Sequence, residues 1–153
     1  MNLKLYLDKA LEAYKNGNAI IKQFLIDSYG AEHFITDIKD RVTSYEAACA
    51  ILNIKPLSVK DFEFLGKDKA TKKFSEHRIT IGIEAINEGW KANFDNESQW
   101  KYYVYFLNKS NGFSFFVLHG SGTSCGADFY IENEEKANVI AKVFRDDFIA
   151  YFF

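Results

Sequence analysis

The segment from Gly120 to Gly126 has the composition that comes nearest to a chemical signature in this chain. It reads Gly-Ser-Gly-Thr-Ser-Cys-Gly. Glycines let a backbone approach a ligand closely, and successive backbone N–H groups can bind an anion. A phosphate-binding P-loop, however, carries a lysine followed by Ser or Thr and opens a helix, and this segment has no lysine. Two interpretations stay open: a flexible connection between strands, and a binding loop that includes His119, Ser121, Thr123 and Ser124.

Nucleophilic and metal chemistry are not predicted. His119 and Cys125 flank this loop, but a catalytic Cys–His pair needs contact between thiol and imidazole and usually a third orienting group. A metal site needs ligands at helix or hairpin spacing, whereas His33, His77 and His119 are scattered along the chain. We therefore predict no catalytic residue, no metal site and no cofactor.

Aromatic residues are concentrated after residue 89. Both tryptophans and several tyrosines lie between residues 90 and 105. On a strand, these side chains would point to both faces, so that one face meets the core and the other is available for exposure. Such a face could stack bases or dock a protein, although the N-terminal helices could instead cover it. The candidate binding residues here are Trp90, Trp100, Lys101, Tyr103 and Tyr105.

Charge limits the class of partner. The net charge of −2 and the isoelectric point near 5.9 argue against a nucleic-acid or anionic-membrane partner. No run approaches about 18 apolar residues, so no transmembrane helix is expected. A local basic run could contact phosphates, but acidic residues are interspersed and a solvated helix face is the alternative. This run comprises Lys67, Lys69, Lys72, Lys73 and Arg78.

Length and cysteine content predict one domain in a reducing compartment. A chain of 153 residues suits a single domain, in which residues 1–35 form a helical-hairpin extension and residues 36–153 an α+β core. Cys49 and Cys125 form no CxxC pair, and the N-terminus opens directly into an amphipathic helix without a signal-peptide pattern. These features predict a cytoplasmic protein. The apolar tail Tyr151–Phe153 suits either a dimer interface or the core.

The predicted fold class is α+β, with N-terminal helices, a three-stranded antiparallel β-meander and a C-terminal helix packed on the sheet. Apolar spacing predicts two N-terminal helices, a short helix capped by Thr43, and a long buried helix from about Lys69 to Asn87. The pattern then changes to a period of two. It predicts strands at 101–107, 113–119 and 127–132, followed by a final helix capped by Asn133.

Several segments resemble small uncharacterised proteins of Bacteroidetes genomes and their phages. They are Asp40–Cys49, Ala85–Lys91, Lys101–Tyr103 with Phe106, and Ala141–Phe144 after the Ser/Gly loop. The resemblance covers roughly residues 36–150. It departs at Val104 and Tyr105, where such proteins often carry Pro and Trp. It implies a phage or mobile-element origin and no particular chemistry.

The predicted function is that of a non-enzymatic accessory binding protein of phage or prophage origin, which docks a protein partner through its aromatic region. Two alternatives remain. One is a protein that binds or sequesters a small anionic molecule, with nucleotides among the candidates, between the Ser/Gly loop and aromatic residues. The other is an enzyme whose site carries no familiar motif, which predicts a pocket with a titratable residue of shifted pKa.

Overall fold

The computed structural model describes residues 3–30, 33–35, 37–106, 113–119 and 129–153. Two antiparallel strands, β1 (Trp100–Phe106) and β2 (Phe113–His119), stand among a larger number of helices. The helices are α1 (Leu3–Asn16), α2 (Ala19–Tyr29), α3 (Ile38–Arg41), α4 (Tyr45–Ile51), a 3₁₀ helix (Val59–Leu65), α5 (Lys67–Asn87), α6 (Glu134–Val143) and α7 (Arg145–Phe152). The chain divides into two compact units, Met1–Arg41 and Val42–Phe153. The single-domain organisation stays a prediction.

The first unit is built on the packing of α1 against α2. Asn18 begins α2, because its side-chain oxygen accepts a hydrogen bond of 3.0 Å from the backbone N–H of Ile21. Ala10, Leu25 and Phe34 form the buried cluster of this unit, and the ring of Tyr14 stacks on Phe34 with 4.9 Å between centroids. The two predicted N-terminal helices are therefore present.

The second unit is organised around α5, which contacts α4, the 3₁₀ helix, α6 and α7. Its apolar residues occupy most of the helix circumference in the second half, as expected for a helix covered on several sides. The buried residues include Ile79, Ile81, Ile83, Ala85 and Ile86. The prediction of a long buried helix ending at Asn87 is confirmed. Cys49, on α4, is fully buried in the core.

The predicted three-stranded meander is wrong. The sheet has two strands, whose register places Trp100 opposite His119 and Phe106 opposite Phe113. Among the residues of the expected third strand that the structure describes, 129–132, only Ile131 pairs with β1, in an isolated antiparallel bridge to Tyr102. The described part of the chain is therefore predominantly helical, with one pair of antiparallel strands.

Backbone hydrogen bonding explains why the third strand is reduced to one bridge. Ile131 and Tyr102 exchange both of their backbone hydrogen bonds, at 2.7 and 3.0 Å. In an antiparallel ladder the next residues on either side point their polar groups away from that partner. Those groups, on Tyr130 and Glu132, bond the side chain of Asn87. The next residue, Asn133, already caps α6, so the ladder cannot continue.

Two helix boundaries also differ from expectation. Ser44, rather than Thr43, caps α4, because its hydroxyl accepts the 3.1 Å hydrogen bond from the N–H of Ala47. Asn133 caps α6 as predicted, but the final helix is broken at Phe144 into α6, which contacts both strands, and α7, which packs on α5. Over the residues that the structure describes, no helix combines the length and apolar character needed to cross a membrane.

Candidate ligand-binding cleft

A cleft of about 350 Å³ lies beside the C-terminal half of α5, and we call it the α5 cleft. One wall is a single face of the helix, since residues three and four apart lie above one another. The other walls come from the segment after the helix and from the chain just before α6. The lining residues are Thr80, Ile83, Glu84, Asn87, Trp90, Lys91, Ala92 and Tyr130.

The end of α5 places Trp90 in this cleft. Glu88 takes the left-handed conformation at φ 50°, and Gly89 follows at φ 86°. Two successive residues with positive φ stop the helix and reverse the chain direction. The N–H of Trp90 then donates a 2.8 Å hydrogen bond to the carbonyl of Asn87. As a result, Trp90, Lys91 and Ala92 line the same cleft as the last turns of the helix.

The floor of the cleft is fixed by the buried side chain of Asn87. Its Nδ2 donates to the carbonyl oxygen of Tyr130 at 2.8 Å, and its Oδ1 accepts from the N–H of Glu132 at 3.2 Å. The amide thus pairs with the chain around Ile131 much as a neighbouring strand would. The segment before α6 is consequently tied both to β1 and to α5.

Tyr130 is the aromatic centre of this region. It is 1% exposed, and its ring makes edge contacts with the rings of Phe94 and Tyr103, at centroid distances of 5.4 and 6.0 Å. Edge-to-face packing of this kind adds to the stabilisation that burial provides. Tyr130 is therefore a buried, firmly packed part of the lining of the α5 cleft.

An ion-paired lysine holds the same region from the α6 side. Lys136 is almost fully buried, and its Nζ lies 2.7 Å from a carboxylate oxygen of Glu132 and 3.4 Å from one of Glu88. A buried ammonium with two carboxylate partners restrains the elements that carry them. The start of α6 is thus joined to the end of α5, directly behind the turn that positions Trp90.

The rim of the α5 cleft is charged, while its buried lining combines apolar and aromatic side chains with the hydrogen-bonded amide of Asn87. Glu84 and Lys91 are both exposed, whereas Ile83 and Tyr130 are buried. The hydroxyl of Thr80 donates to the carbonyl of Glu76 at 3.0 Å, which leaves its oxygen able to accept a hydrogen bond. This arrangement suits an apolar or aromatic group with polar substituents at its edge.

Of the site residues predicted from the aromatic segment, the structure brings Trp90 and Tyr103 to this region. Trp90 lines the cleft, and Tyr103 supports it from β1 through Tyr130. Lys101 is instead fully buried: its Nζ donates to the carbonyls of Asn96 and Gln99 at 3.3 and 3.0 Å. The ammonium of Lys101 thus fixes the loop before β1.

The remaining predicted residues do not line the α5 cleft or lie beyond what the structure describes. Trp100 is 53% exposed at the start of β1, opposite His119 in the register. Tyr105 pairs with Ser114. Ser121, Thr123 and Ser124 lie outside the described residues, as does Cys125.

The sequence interpretation missed the residues that build the cleft, above all Asn87 and Tyr130. Asn87 was taken as the end of a helix, and Tyr130 as one face of a third strand. The available signal was the tripeptide Asn87-Glu88-Gly89, which marks a helix end followed by a reversal. Nothing in the sequence indicates which distant backbone the asparagine side chain would bond.

A second polar cluster joins α4, α5 and α7. The hydroxyl of Tyr45 accepts a 2.8 Å hydrogen bond from the N–H of Leu57 and lies 3.2 Å from Nε2 of His77. The guanidinium of Arg78 lies 5.3 Å from the centroid of the Tyr45 ring and 3.5 Å from a carboxylate oxygen of Asp147. These contacts tie the three helices together within the second unit.

Burial shifts the pKa of several groups in this cluster. It raises the pKa of Tyr45 and Cys49 and lowers that of His77, with the positive charge of Lys73 lowering the latter further. The pKa of Asp147 is raised because the cost of burying its carboxylate exceeds the attraction of Arg78. Among the described residues, none of these groups lines the α5 cleft.

Comparisons with known proteins identify no relative of this chain. No protein-family model, no curated protein and no solved structure matches this chain. The function is therefore argued from the geometry of the cleft.

Proposed function

We propose that this protein is a binding protein that docks a protein partner by accepting a partner side chain in the α5 cleft. The observation that carries the proposal is the position of Trp90, which forms a wall of a 350 Å³ cleft against buried Tyr130. Tryptophan and tyrosine dominate binding energy at protein interfaces, because their large rings lose little conformational freedom on binding.

The construction of the cleft supports this proposal, since its floor is already ordered before a partner arrives. Asn87 satisfies the backbone groups of Tyr130 and Glu132, and Tyr130 is packed by Phe94 and Tyr103. A site that is ordered in advance avoids the entropic cost of ordering side chains on binding. An inserted side chain would therefore retain most of the free energy of its burial.

The charged rim of the cleft would surround an inserted side chain with polar groups. Glu84 and Lys91 carry opposite charges at the exposed edge of the cleft. Charges at the rim of an interface contribute mainly to orientation and association rate rather than to affinity. We expect the partner to present an apolar or aromatic residue flanked by polar groups.

Site-specific photocrosslinking tests the proposal. A benzoylphenylalanine at Lys91 reports what occupies the cleft, and the same group at exposed Lys142 on α6 is the matched control. Each is placed in the full chain with and without Trp90→Ala and exposed to lysate of the native host. We expect one polypeptide to be crosslinked from Lys91 only, and lost with Trp90→Ala. Absence of any crosslink, or crosslinking that persists with Trp90→Ala, would contradict the proposal.

The volume of the cleft also favours a second candidate, a small-molecule binding protein. Ligand pockets span about 300–1,000 Å³, so a cleft of 350 Å³ falls at the lower end of that range. Trp90 offers aromatic contact and Lys91 a cation, which together suit an anionic aromatic molecule such as a nucleotide. Native mass spectrometry of the protein from host lysate distinguishes the two candidates. A bound mass of a few hundred daltons that leaves on denaturation supports the small molecule.

A further inference from the structure

We propose that the surface formed by residues 54–73, here called the basic apolar surface, binds an acidic peptide segment of a partner protein that inserts an apolar side chain. This surface includes the 3₁₀ helix and the first two turns of α5. It is distinct from the α5 cleft, because Lys67, Ala70 and Thr71 lie near the opposite end of α5 from Ile83, Glu84 and Asn87.

Exposed apolar side chains are the first observation. Phe64 is 82% exposed, and Ile54, Leu57, Val59 and Leu65 are each between 37% and 41% exposed. Isolated exposed apolar residues are ordinary on a protein surface, but five within twelve consecutive positions are a candidate interaction surface.

A groove is the second observation. A cavity of about 420 Å³ lies between the 3₁₀ helix and the start of α5, lined by Val59, Glu63, Lys67, Ala70 and Thr71. Ala70 at its base is 1% exposed, whereas the other lining residues are exposed. The concave shape favours an inserted side chain over a flat bilayer surface.

The backbone of the basic apolar surface is held by specific hydrogen bonds. The carboxylate of Asp61 accepts from the N–H and the hydroxyl of Ser58 at 2.7 and 2.9 Å, which anchors the start of the 3₁₀ helix. The N–H of Leu57 donates to the hydroxyl of Tyr45. Both Leu57 and Val59 are therefore presented by ordered backbone, which reduces the entropic cost of binding.

Charge identifies the chemistry of the occupant. Residues 54–73 carry six lysines against three carboxylates, a net charge of +3 in a chain whose overall charge is −2. Lys73 is paired with Glu76 at 2.8 Å, and the other five lysines still outnumber the three carboxylates. One of the three carboxylates, Asp61, is already occupied by Ser58. A positive surface attracts an acidic segment and disfavours a basic one. Together with the groove and Phe64, it indicates a peptide that combines Asp or Glu with a Leu- or Phe-type anchor.

A peptide selection tests this proposal with the full chain. A random-peptide library displayed on yeast is sorted against the wild-type protein and against a Phe64→Ala/Lys67→Glu variant. A glutamate at position 67 is favourable at the first turn of α5, so the variant should not lose binding through fraying of this helix. We expect the wild-type pool to be enriched in acidic peptides with apolar anchors, and the variant not to enrich them. Enrichment of basic peptides, or equal enrichment by both proteins, would overturn the proposal.

Single variants then locate the binding. With a selected peptide carrying fluorescein, we expect anisotropy titrations to show about tenfold weaker binding for Phe64→Ala and for Lys67→Glu. The matched controls are Phe24→Ala, which removes another exposed Phe, and Lys9→Glu, which reverses another exposed lysine. Both should bind as the wild type does. Binding to phosphatidylglycerol vesicles with no binding of acidic peptides would show that the surface is a membrane contact and would also overturn the proposal.

Discussion

The side-chain amide of Asn87 donates a 2.8 Å hydrogen bond to the carbonyl oxygen of Tyr130, a residue 43 positions further along the chain. The same side chain accepts from the N–H of Glu132. One asparagine therefore joins the end of the central helix to the segment that pairs with β1, and it forms the floor of the α5 cleft.

Replacing Asn87 by alanine should destabilise the protein by about 3 kcal/mol, because two backbone groups would lose their partners away from bulk water. Urea unfolding monitored by circular dichroism measures the change. Asn138→Ala is the control, since its side chain makes one exposed hydrogen bond to the carbonyl of Glu134. That control should cost less than about 1 kcal/mol. An equal loss of unfolding free energy from the two substitutions would show that the hydrogen bonds of Asn87 stabilise the protein no more than an exposed one does.

Lys101→Met should cost about 2 kcal/mol, although methionine keeps much of the apolar volume, because the carbonyls of Asn96 and Gln99 lose their donor. Hydrogen exchange in residues 93–99 should increase as well, since the ammonium fixes this loop. Lys91→Met is the matched control, because Lys91 is exposed at the cleft rim and should leave stability within about 0.5 kcal/mol of wild type. Unchanged stability and exchange in Lys101→Met would contradict this role.

Stability should fall on acidification below about pH 6.5 through His77. Burial lowers the pKa of His77 from 6.5, so in this range the unfolded state binds more protons than the folded state. The stabilisation is complete above pH 6.5 and decreases as the pH falls toward the lower pKa of the folded state. Urea midpoints between about pH 7.5 and 5.5 measure the slope. His77→Gln should flatten the slope, and a slope retained in His77→Gln would assign it to other groups.

Gly82→Ala should be destabilising, although alanine is the better helix former by about 1 kcal/mol. A methyl group at Gly82 would overlap the ring of Phe144 at the break between α6 and α7. We expect a net loss of about 2 kcal/mol in urea unfolding. Gly82→Ala should cost less stability when it is introduced into Phe144→Leu than when it is introduced into the wild type, because the smaller side chain leaves room for the methyl group. The same cost in both backgrounds would show that the ring of Phe144 is not the cause.

The two tryptophans should differ in solvent access. Trp100 is 53% exposed, whereas Trp90 is half-buried against the cleft. Acrylamide should therefore quench the emission of Trp90→Phe, which retains Trp100, more strongly than that of Trp100→Phe. A ligand in the α5 cleft should change the emission of Trp100→Phe alone. Equal quenching in the two variants would indicate that Trp90 does not form the wall described above.

Local patterns in the sequence were sufficient to predict most of the helices. The apolar periodicity of residues 69–87 reflects burial on several sides, and the cap at Asn133 depends only on a hydrogen bond to the nearby N–H of Lys136. Caps and periodicity involve neighbours a few residues apart, so the chain alone can specify them. The same reasoning missed Ser44 by one residue, because Thr43 and Ser44 are equivalent in chemistry.

The prediction of a third strand was wrong for a different reason. The residues around Ile131 have an alternating pattern, but the chain turns into α6 at Asn133, and the polar groups of Tyr130 and Glu132 that face away from β1 bond the side chain of Asn87. Lys101 lies in the aromatic segment that the sequence predicts as a binding surface. Its burial depends on the carbonyls of Asn96 and Gln99, which turn toward it only in the folded loop.

The sequence by itself determined the two N-terminal helices, α5 with its core residues, the first two strands and the cap at Asn133. Tertiary structure alone decided the α5 cleft, the single bridge at Ile131 and the position of Trp90 beside Tyr130. The physical reason is the range of the interactions. Helix periodicity and capping act within a few residues, whereas the hydrogen bonds of Asn87 join groups 43 and 45 residues apart and exist only when α5, β1 and α6 are packed together.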